Sequence, residues 1–487
     1  MIGKDYISID ASDFIRGMSS SGEIADGGFS PDTDGVNLIN TPGILYAPAL
    51  PASVSGLTGQ VIASAEDPTG TFNRIMVTAD ADDDGRIFSL SGANVIAAIG
   101  SEDTTLNYIQ GRTDMIAYKD EIYITASDDI IRISDIAGTP TVDVSFMSGT
   151  FGDNLAPHPA IVFEDNAYYG DGNQLWRQTA AGTPPTVILT LPVGSVIVTL
   201  GIDPGSGRML LSYVGQLNAS GTRSTQARVG FYDGQSNKLD RAVIVEEMIT
   251  AFPTSEGTLY AAYGQNLGYW NGSGVKFLRR FPNIGFDNTE LLYKHHFASI
   301  GNTLYFLDNL KIIAHGEIVR GAGKVFYPAF TNVVNSNNLT HIFHIGSGVI
   351  GMSFATSLFY TWDTISIAST NTMTFYTNFF RFPRPIEIRS VFFEFATAVT
   401  SGVTPGAITL LNRAYHGSTG SYNSFTSIAS STGGATRETV VPVVPSIGDQ
   451  ATTGAQPDKG RTFQFRYIAD TNNIGVARII IYYDPVE

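Results

Sequence analysis

The sequence predicts an all-β protein: an irregular six- or seven-bladed β-propeller followed by a C-terminal β-sandwich, with an extended N-terminal leader. Three observations lead to this prediction. A short motif recurs along the middle of the chain, charged residues make up only 15% of the composition, and the strand pattern changes near residue 373. Because long exposed helices need many charged residues on their wet face, the low charge content favours short strands joined by tight turns.

The recurring motif is a small turn and an aliphatic–aromatic pair, followed about ten residues later by a second β-prone run. Its copies lie at 85–88, 121–123, 166–168, 207–210, 257–260, 302–305 and, in a weaker form, 348–350. The spacing of roughly 35 to 50 residues is the range of a four-stranded propeller blade. One blade cannot bury both of its faces, so the copies are expected to stack around an axis. Seven copies predict seven blades, or six if a terminal copy belongs to a neighbouring sheet.

The strand pattern divides the chain into a leader at 1–58, a propeller at 59–372 and a sandwich at 373–487. The leader is rich in Gly, Ser and Asp and too poor in apolar residues to fold alone. We expect it to lie over the propeller or over a neighbouring subunit. A β-prone piece at 43–46 is a candidate to close the ring by pairing with the final blade.

The C-terminal part alternates between apolar and polar residues. Phe463, Phe465 and Tyr467 alternate with Gln464 and Arg466, the period-two pattern of a strand with one buried face. Further strands are predicted at 386–389, 391–395 and 477–483. Antiparallel strands over roughly 110 residues predict a β-sandwich.

Composition limits the possible functions. The chain has no cysteine, which excludes disulfides, thiolate metal sites and cysteine nucleophiles. Its net charge of −16 argues against a protein that grips nucleic acid, although a like-charged wall can surround DNA without holding it. The N-terminus lacks the pattern of a secretion signal. The apolar run at 186–202 contains Pro192 and Gly194, so we expect two strands around a turn and no membrane span.

One acidic turn resembles a calcium-binding loop. Asp80, Asp82 and Asp84 alternate before Gly85, and oxygen ligands two residues apart in a tight turn suit a hard cation. The bidentate Glu of the helical version of this loop is missing, because the twelfth position is Ser91. These three carboxylates are therefore candidate calcium ligands, and a solvated acidic hairpin is the simpler alternative.

The histidines are expected to be structural. His341 and His344 are three residues apart on a predicted strand and therefore face opposite sides, so both cannot reach one metal ion. His295 and His296 are adjacent and are also expected to point apart.

No motif marks the chain as an enzyme. The sequence contains neither a Gly-x-Ser-x-Gly elbow nor a His-Glu-x-x-His zinc motif. Trp176, Trp270 and Trp362 each fall in the second β-prone run of a repeat. Packing within the blades is the expected role of these residues, and stacking on sugars is the alternative.

Three features together resemble the nozzle or tail-hub proteins of short-tailed bacteriophages, also called packaged-DNA stabilisation proteins. The leader ends in DGVNLINTPGIL at 34–45, which resembles the segment before the propeller in that family. The irregular propeller resembles the family's central domain. The C-terminal part begins with RFPRP at 381–385 and IRSVFFEF at 388–395, which resemble the start of its β-sandwich.

The resemblance implies a structural virion protein of the phage tail that is not an enzyme. It implies a homo-oligomeric ring of six copies around the DNA exit channel, below the portal and adaptor proteins, carrying needle or fibre proteins. It implies no cofactor and no catalytic residues. The protein would be made in the host cytoplasm and reside in the virion tail. We expect acidic turns such as Asp82 to Asp84 to line the passage so that exiting DNA does not adhere.

Two other functions remain open from the residues. One is a receptor- or carbohydrate-binding propeller that uses Tyr269, Trp270 and nearby loops as a stacking platform. The other is a propeller glycosidase or lyase with paired carboxylates, for which no carboxylate is marked by its surroundings.

Overall fold

The computed structural model describes residues 5–10, 52–149, 151, 156–215, 227–264, 266–280, 292–308, 311–317, 323–331, 339–346, 348–354, 359–363, 373–376, 380–382, 386–395, 407–412, 415–416, 421–422, 426–430, 437–440, 461–469 and 476–485. The chain divides into two compact units, described separately below. The first comprises Pro51–Leu310 and Ser336–Trp362, and the second comprises Met1–Leu50, Lys311–Asn335 and Asp363–Glu487.

The first strand, β1 (Asp5–Asp10), belongs to the second unit, and β2 (Ala52–Val54) belongs to the first. The first unit is a propeller of antiparallel sheets, called blades here and numbered along the chain. The strands of each blade are given from the centre outward. Blade 1 contains β3 (Gln60–Ala65), β4 (Arg74–Ala79), β5 (Gly85–Leu90) and β6 (Ile96–Asp103), and blade 2 contains β7 (Asp114–Tyr118), β8 (Glu121–Ala126), β9 (Asp129–Ser134) and β10 (Thr141–Met147). Blade 3 contains β11 (Ala160–Phe163), β12 (Asn166–Asp171), β13 (Gln174–Gln178) and β14 (Thr186–Thr190), and blade 4 contains β15 (Ser195–Asp203), β16 (Arg208–Gly215), β17 (Ala227–Tyr232) and β18 (Arg241–Val245).

The remaining blades follow the same order. Blade 5 contains β19 (Ile249–Ala251), β21 (Thr258–Tyr263), β22 (Asn266–Trp270) and β23 (Val275–Arg280), and the short β20 (Thr254–Ser255) pairs with β21. In blade 6, the first unit contains β24 (Phe297–Ile300) and β25 (Thr303–Asp308); the next two strands, β26 (Lys311–Gly316) and β27 (Val325–Thr331), are an antiparallel pair of the second unit. Blade 7 contains β28 (Leu339–Gly346), β29 (Val349–Phe354), β30 (Phe359–Asp363) and, outermost, β2.

The inner strands form a closed circle. Contacts run from β3 to β7, β11, β15 and β19, from β20 to β24, from β24 to β28, and from β28 back to β3. Among the described residues of the first unit, six blades have all four strands, and β24 and β25 are the inner pair of a seventh. The predicted β-propeller with six or seven blades is therefore confirmed.

The ring is closed by a strand from before the first blade. In β2, Ala52, Ser53 and Val54 pair with β30 of the last blade. These residues fall within the predicted leader, in which the piece at 43–46 is the candidate to close the ring. Residues 43–46 lie outside the described part of the chain.

The hydrophobic core lies between neighbouring blades. Middle strands such as β8 bury side chains on both faces, because each blade is covered by a blade on either side. Ile62 and Ile122, for example, join one cluster between blades 1 and 2, and Phe88 joins Phe343 between blades 1 and 7. This packing is the reason why the repeats cannot fold singly.

The recurring motif marks the second strand from the centre in blades 2 to 7. In blade 1 it marks the third strand, β5, because the second strand, β4, carries aliphatic residues without an aromatic one. Gly207 and Gly257 open two copies with φ of 63° and 69°, a left-handed turn conformation that favours glycine.

The apolar run at 186–202 is confirmed as two strands. These are β14 and β15, and they belong to neighbouring blades rather than to one hairpin. The turn between them is closed by the Ser195 amide, which donates to the Pro192 carbonyl at 3.0 Å. Within the described residues, no helix has the length and apolar character needed to cross a membrane.

The second unit is also antiparallel. Its remaining strands are β31 (Met373–Tyr376), β32 (Phe380–Phe382), β33 (Ile386–Phe395), β34 (Ala407–Asn412), β35 (Tyr415–His416), β36 (Ser421–Tyr422), β37 (Thr426–Ser430), β38 (Arg437–Val440), β39 (Arg461–Ala469) and β40 (Val476–Pro485). One sheet has the order β1-β40-β33-β38, another has β31-β39-β34-β37 with β32 also beside β39, and β35 pairs with β36.

Two features of this unit differ from the expected pattern. The two strands expected at 386–389 and 391–395 are one strand, β33, with a register irregularity between Ile388 and Ser390. The leader contributes β1, whose Asp5 pairs with Tyr483 and whose Asp10 pairs with Arg478. The strands at 461–469 and 476–485 agree with the predicted ones, and the β-sandwich stays a prediction.

We expect the closing strand to stabilise the whole propeller. Val54 is buried with Leu57 and Phe343 in the core of blades 7 and 1, so Val54→Ala should lower the free energy of unfolding by about 1 to 2 kcal/mol. Ser53→Ala is the matched control, because Ser53 is exposed on the same strand and should have little effect. Urea denaturation of both variants measures the difference; equal stabilities would contradict the role given to β2.

Candidate functional site

Polar side chains meet among the inner strands of the propeller; Asp114, His296 and His341 are buried, His295 is half-buried and Lys294 is exposed. We define the axial cluster as Asp114, Lys294, His295, His296 and His341. Asp114 begins the inner strand of blade 2, His341 lies on the inner strand of blade 7, and the other three form a single 3₁₀ turn immediately before the inner strand of blade 6. Residues that are far apart in sequence are thus brought together by closure of the ring.

Asp114 is the most heavily bonded member. Lys294 Nζ lies 2.9 and 3.1 Å from its two carboxylate oxygens, and His295 Nε2 lies 2.8 Å from Oδ1. The Met115 amide donates to Oδ1 at 2.7 Å, and the Ala160 amide of blade 3 donates to Oδ2 at 2.8 Å. One carboxylate therefore joins blades 2, 3 and 6.

His296 contacts a different partner from its neighbour His295. Its Nε2 lies 2.7 Å from the Gln110 amide nitrogen, which also donates to the Thr340 carbonyl of blade 7 at 2.9 Å. The Tyr293 amide donates to its Nδ1 at 3.2 Å. Gln110 and Tyr293 therefore hold both ring nitrogens of His296 in place.

His341 links blades 7 and 1. Its Nε2 lies 2.9 Å from the Ser64 hydroxyl, and Arg74 donates to the same hydroxyl at 3.1 Å and to the His344 carbonyl at 3.1 Å. The rings of His341 and His295 are 5.3 Å apart. Ser64 and His341 are both buried, so a serine–histidine pair is present without exposure to solvent.

The electrostatics of the cluster follow from burial and its one strong ion pair. Burial raises the pKa of Asp114, but the Lys294 charge and the bonds from His295 and Ala160 outweigh it and hold that pKa well below its usual range. Burial lowers the pKa of His295 despite its bond to Asp114. Burial and neighbouring positive charge lower the pKa of His296 to about 3 and that of His341 well below its usual value. The histidines are therefore neutral at pH 7.

Two cavities adjoin Lys294. The smaller, about 30 Å³, is lined by Asp114, His295 and Thr250 among others, and its size suits a single water molecule. The larger, about 240 Å³, is lined mainly by apolar side chains, including Phe252 and Phe297. It is smaller than most small-molecule sites.

The polar groups of the axial cluster are hydrogen-bonded to one another and to neighbouring groups of the protein. A general base needs a free lone pair and a pKa near the working pH, whereas Asp114 is saturated by internal donors and strongly acidic. Sequence reasoning missed Asp114 and Lys294. The available signal for Asp114 was a charged residue at the start of an inner-strand run, which becomes informative only when the strand is known to be central.

The candidate calcium ligands lie on the turn between β4 and β5. Asp80 Oδ1 accepts hydrogen bonds from the amides of Asp82 at 2.8 Å and Asp84 at 3.0 Å. Desolvation and the charges of Asp80, Asp82 and nearby carboxylates raise the pKa of Asp84. Within the described residues, no group of three or more His, Asp or Glu side chains is arranged to hold a metal ion. Calcium binding at this turn stays a prediction, which calcium titration by calorimetry tests.

Of the predicted stacking platform, Trp270 is buried and Tyr269 is half-buried. Trp270 is only 7% exposed and packs between the rings of Phe231 and Phe252. Trp176 packs in the core beside Phe151, and the side chain of Trp362 lies outside the described part. Blade packing therefore accounts for the two tryptophans whose side chains are described.

No protein-family model matches the chain, and no curated protein matches it. Solved structures with similarity include Raptor from Chaetomium thermophilum, at 9% identity and TM-score 0.43, where 65% of this chain covers 28% of that one. A streptogramin B lyase has 12% identity and TM-score 0.42, and the match covers 64% of this chain and 96% of the lyase chain. YCF48 bound to a D1 peptide has 10% identity and TM-score 0.45, and the match covers 68% of this chain and 99% of the YCF48 chain. Identities this low carry no statement about activity.

We predict that stability decreases as the pH is lowered through the range in which free histidine titrates. The folded-state pKa values of His295, His296 and His341 are lowered, so the unfolded state binds more protons below about pH 6.5 and the stability present above that pH is lost. Each histidine should lower the free energy of unfolding by up to about 1.4 kcal/mol for every pH unit below pH 6. Asp114 contributes only below about pH 4, where its unfolded form is protonated.

Urea denaturation at pH 8, 7, 6 and 5 measures this dependence. His296→Gln removes one of the three groups. Between pH 6 and 5 it should reduce the slope of the unfolding free energy against pH by the equivalent of about one bound proton. An unchanged slope in the variant would show that His296 is not a source of the effect.

We predict that Asp80 stabilises its turn without any metal. Asp80→Ala removes the acceptor of two backbone amides and should lower the free energy of unfolding by about 1 kcal/mol, because the turn is exposed. Asp80→Asn keeps an acceptor oxygen and should retain most of the stability. The comparison is made by thermal unfolding in excess chelator; similar losses in both variants would refute this assignment.

Proposed function

We propose that the chain is a non-catalytic structural protein of a bacteriophage tail, the nozzle or tail hub, which forms a homo-oligomeric ring around the DNA exit channel. The phage assignment comes from the resemblance of the leader, propeller and C-terminal part to that family. The structural observation that favours it is the saturation of Asp114 by Lys294, His295 and two backbone amides. The chemistry-bearing groups at the axis are used to join blades.

In this proposal six copies form the ring. The ring sits below the portal and adaptor proteins, carries needle or fibre proteins, and lets DNA pass without holding it. The chain is made in the host cytoplasm and resides in the virion tail. Two features support this role. A closed wheel of sheets is a rigid building block, and a net charge of −16 disfavours adhesion of phosphates.

The second candidate is a receptor- or carbohydrate-binding propeller. Burial of Trp270 removes one of the two rings expected for its stacking platform, and Tyr269 is half-buried. The observation that keeps it open is the cavity of about 240 Å³ beside Lys294, Phe252 and Phe297, which would admit only a small ligand.

Mass photometry of the purified full chain tests the proposal. We expect discrete particles near six times the mass of one chain, alone or after addition of a phage adaptor protein. A monomer under both conditions would overturn the ring. Binding of that monomer on a glycan array would favour the second candidate, and turnover of a polysaccharide would overturn the non-catalytic assignment.

A further inference from the structure

The hairpin turn between β22 and β23 contains an exposed asparagine followed by a glycine. Asn271 and Gly272 form the only Asn-Gly dipeptide of the sequence. Gly272 has φ of 83°, and apart from its chain neighbours no heavy atom lies within 4 Å of the position that a Cβ atom would take. Because glycine has no side chain, nothing shields the backbone nitrogen of Gly272 on that side.

Three donors hold the side-chain carbonyl of Asn271. Its Oδ1 accepts hydrogen bonds from the Ser273 amide at 3.0 Å, the Ser273 hydroxyl at 3.0 Å and the Gly274 amide at 2.9 Å. These distances match those of the donors in an oxyanion hole, about 2.7 to 3.1 Å. Since such bonds strengthen when the oxygen becomes negative, they stabilise an oxyanion more than a neutral carbonyl.

The Gly272 amide is available for reaction. Among the hydrogen bonds of the described residues, none has this amide as its donor. The carbonyl of the same residue accepts a bond from Arg241 of β18 at 2.9 Å, which links the turn to blade 4. The nitrogen can therefore lose its proton to hydroxide without breaking a bond of the turn.

We propose that Asn271 deamidates spontaneously, with the Gly272 nitrogen as the nucleophile and the donors of Ser273 and Gly274 as the oxyanion hole. The deprotonated nitrogen bonds to Cγ of Asn271, the carboxamide C–N bond breaks, and ammonia leaves with a proton from water, so that a succinimide ring forms. Water then opens one of the two C–N bonds of the ring. Opening at Cγ gives aspartate, and opening at the main-chain carbonyl carbon gives isoaspartate, in which the backbone passes through the side chain.

The corresponding turn of blade 4 has the same bonds around a different group. Asp233 precedes Gly234, and its Oδ1 accepts bonds from the amides of Gln235 at 2.9 Å and Ser236 at 2.8 Å and from the Ser236 hydroxyl at 3.0 Å. The backbone bonds from Ser236 and Gln235 lower the pKa of Asp233, so this side chain is a carboxylate at neutral pH and has no leaving group. Ring formation is therefore expected at Asn271 and not at Asp233.

The two products differ in their effect on the blade. Aspartate keeps the acceptor oxygen of the turn, as Asp233 shows in blade 4. Isoaspartate adds one carbon atom to the main chain immediately before Gly272 and thereby moves the carbonyl that accepts the bond from Arg241. The link between blades 4 and 5 is therefore expected to break in the isoaspartate form alone.

Peptide mapping of the aged full chain tests the reaction. The protein is incubated at pH 7 and pH 8, and mass spectrometry with electron-transfer fragmentation follows residue 271. We expect aspartate and isoaspartate, formed faster at pH 8. Asn94 is the internal control, because it is exposed but precedes Val95, whose amide donates to the Ser91 hydroxyl at 3.1 Å. Deamidation of Asn271 no faster than that of Asn94 overturns the proposal, and aspartate without isoaspartate excludes Gly272 as the nucleophile.

Ser273→Ala tests the oxyanion hole. It removes one of three donors on an exposed residue and should slow ammonia release about fivefold, less than in a buried enzyme site because water competes for the oxygen. Ser236→Ala makes the same change in the corresponding turn of blade 4 and should leave the rate at Asn271 unchanged. Circular dichroism checks the fold of both variants. A rate in Ser273→Ala equal to or above that of the wild type refutes the role of the donors.

Thermal unfolding separates the effects of the two products. Asn271→Asp represents the aspartate form and should melt close to the unaged wild type. The aged chain contains isoaspartate and should melt at a lower temperature. An aged chain as stable as Asn271→Asp contradicts the expected loss of the contact between Arg241 and Gly272.

Discussion

The propeller depends on one pairing between distant parts of the chain. β2 lies beside β30 for only three residues, yet this contact completes the last blade with a strand that precedes the first. Without it, blade 7 would end at β30 and the circle of inner strands would be held only by side-chain packing. Burial of Val54 against Phe343 at the same boundary couples the backbone pairing to the hydrophobic core, so that closure and core formation are one event.

The polar axis follows from that closure. Asp114, His296 and His341 are buried beside the inner strands, and buried polar groups must be paired. Asp114, Lys294 and His295 meet this requirement with one carboxylate that accepts bonds from three blades. His296 and His341 extend the linkage to blades 1 and 7 as neutral rings. An axis saturated in this way favours rigidity over reactivity, and it leaves the rim as the surface available for partners.

The sequence was sufficient for the propeller because the repeat is a local pattern. The motif at 121–123 or 257–260 indicates a turn and the strands beside it within a few residues. Period-two alternation predicted β39 and β40 directly. Closure was not predictable from local pattern: β2 has three residues and no distinctive composition, and β1 was hidden in a leader whose Ile7 and Ile9 were too brief a signal. The axial cluster escaped for the same reason, since Asp114 and Lys294 are 180 residues apart. Only the circular arrangement makes them neighbours.

The pairing of both early strands with late ones has a consequence for biosynthesis. β1 pairs with β40 and β2 pairs with β30, so β2 has no partner until residue 363 has been synthesised and β1 has none until residue 485. Blades 1 to 5 are built from consecutive segments and can form during translation, whereas β1 and β2 stay unpaired until their partner strands have been synthesised. Ring closure therefore follows the synthesis of β30: a product that ends before residue 359 has β2 unpaired and its wheel open.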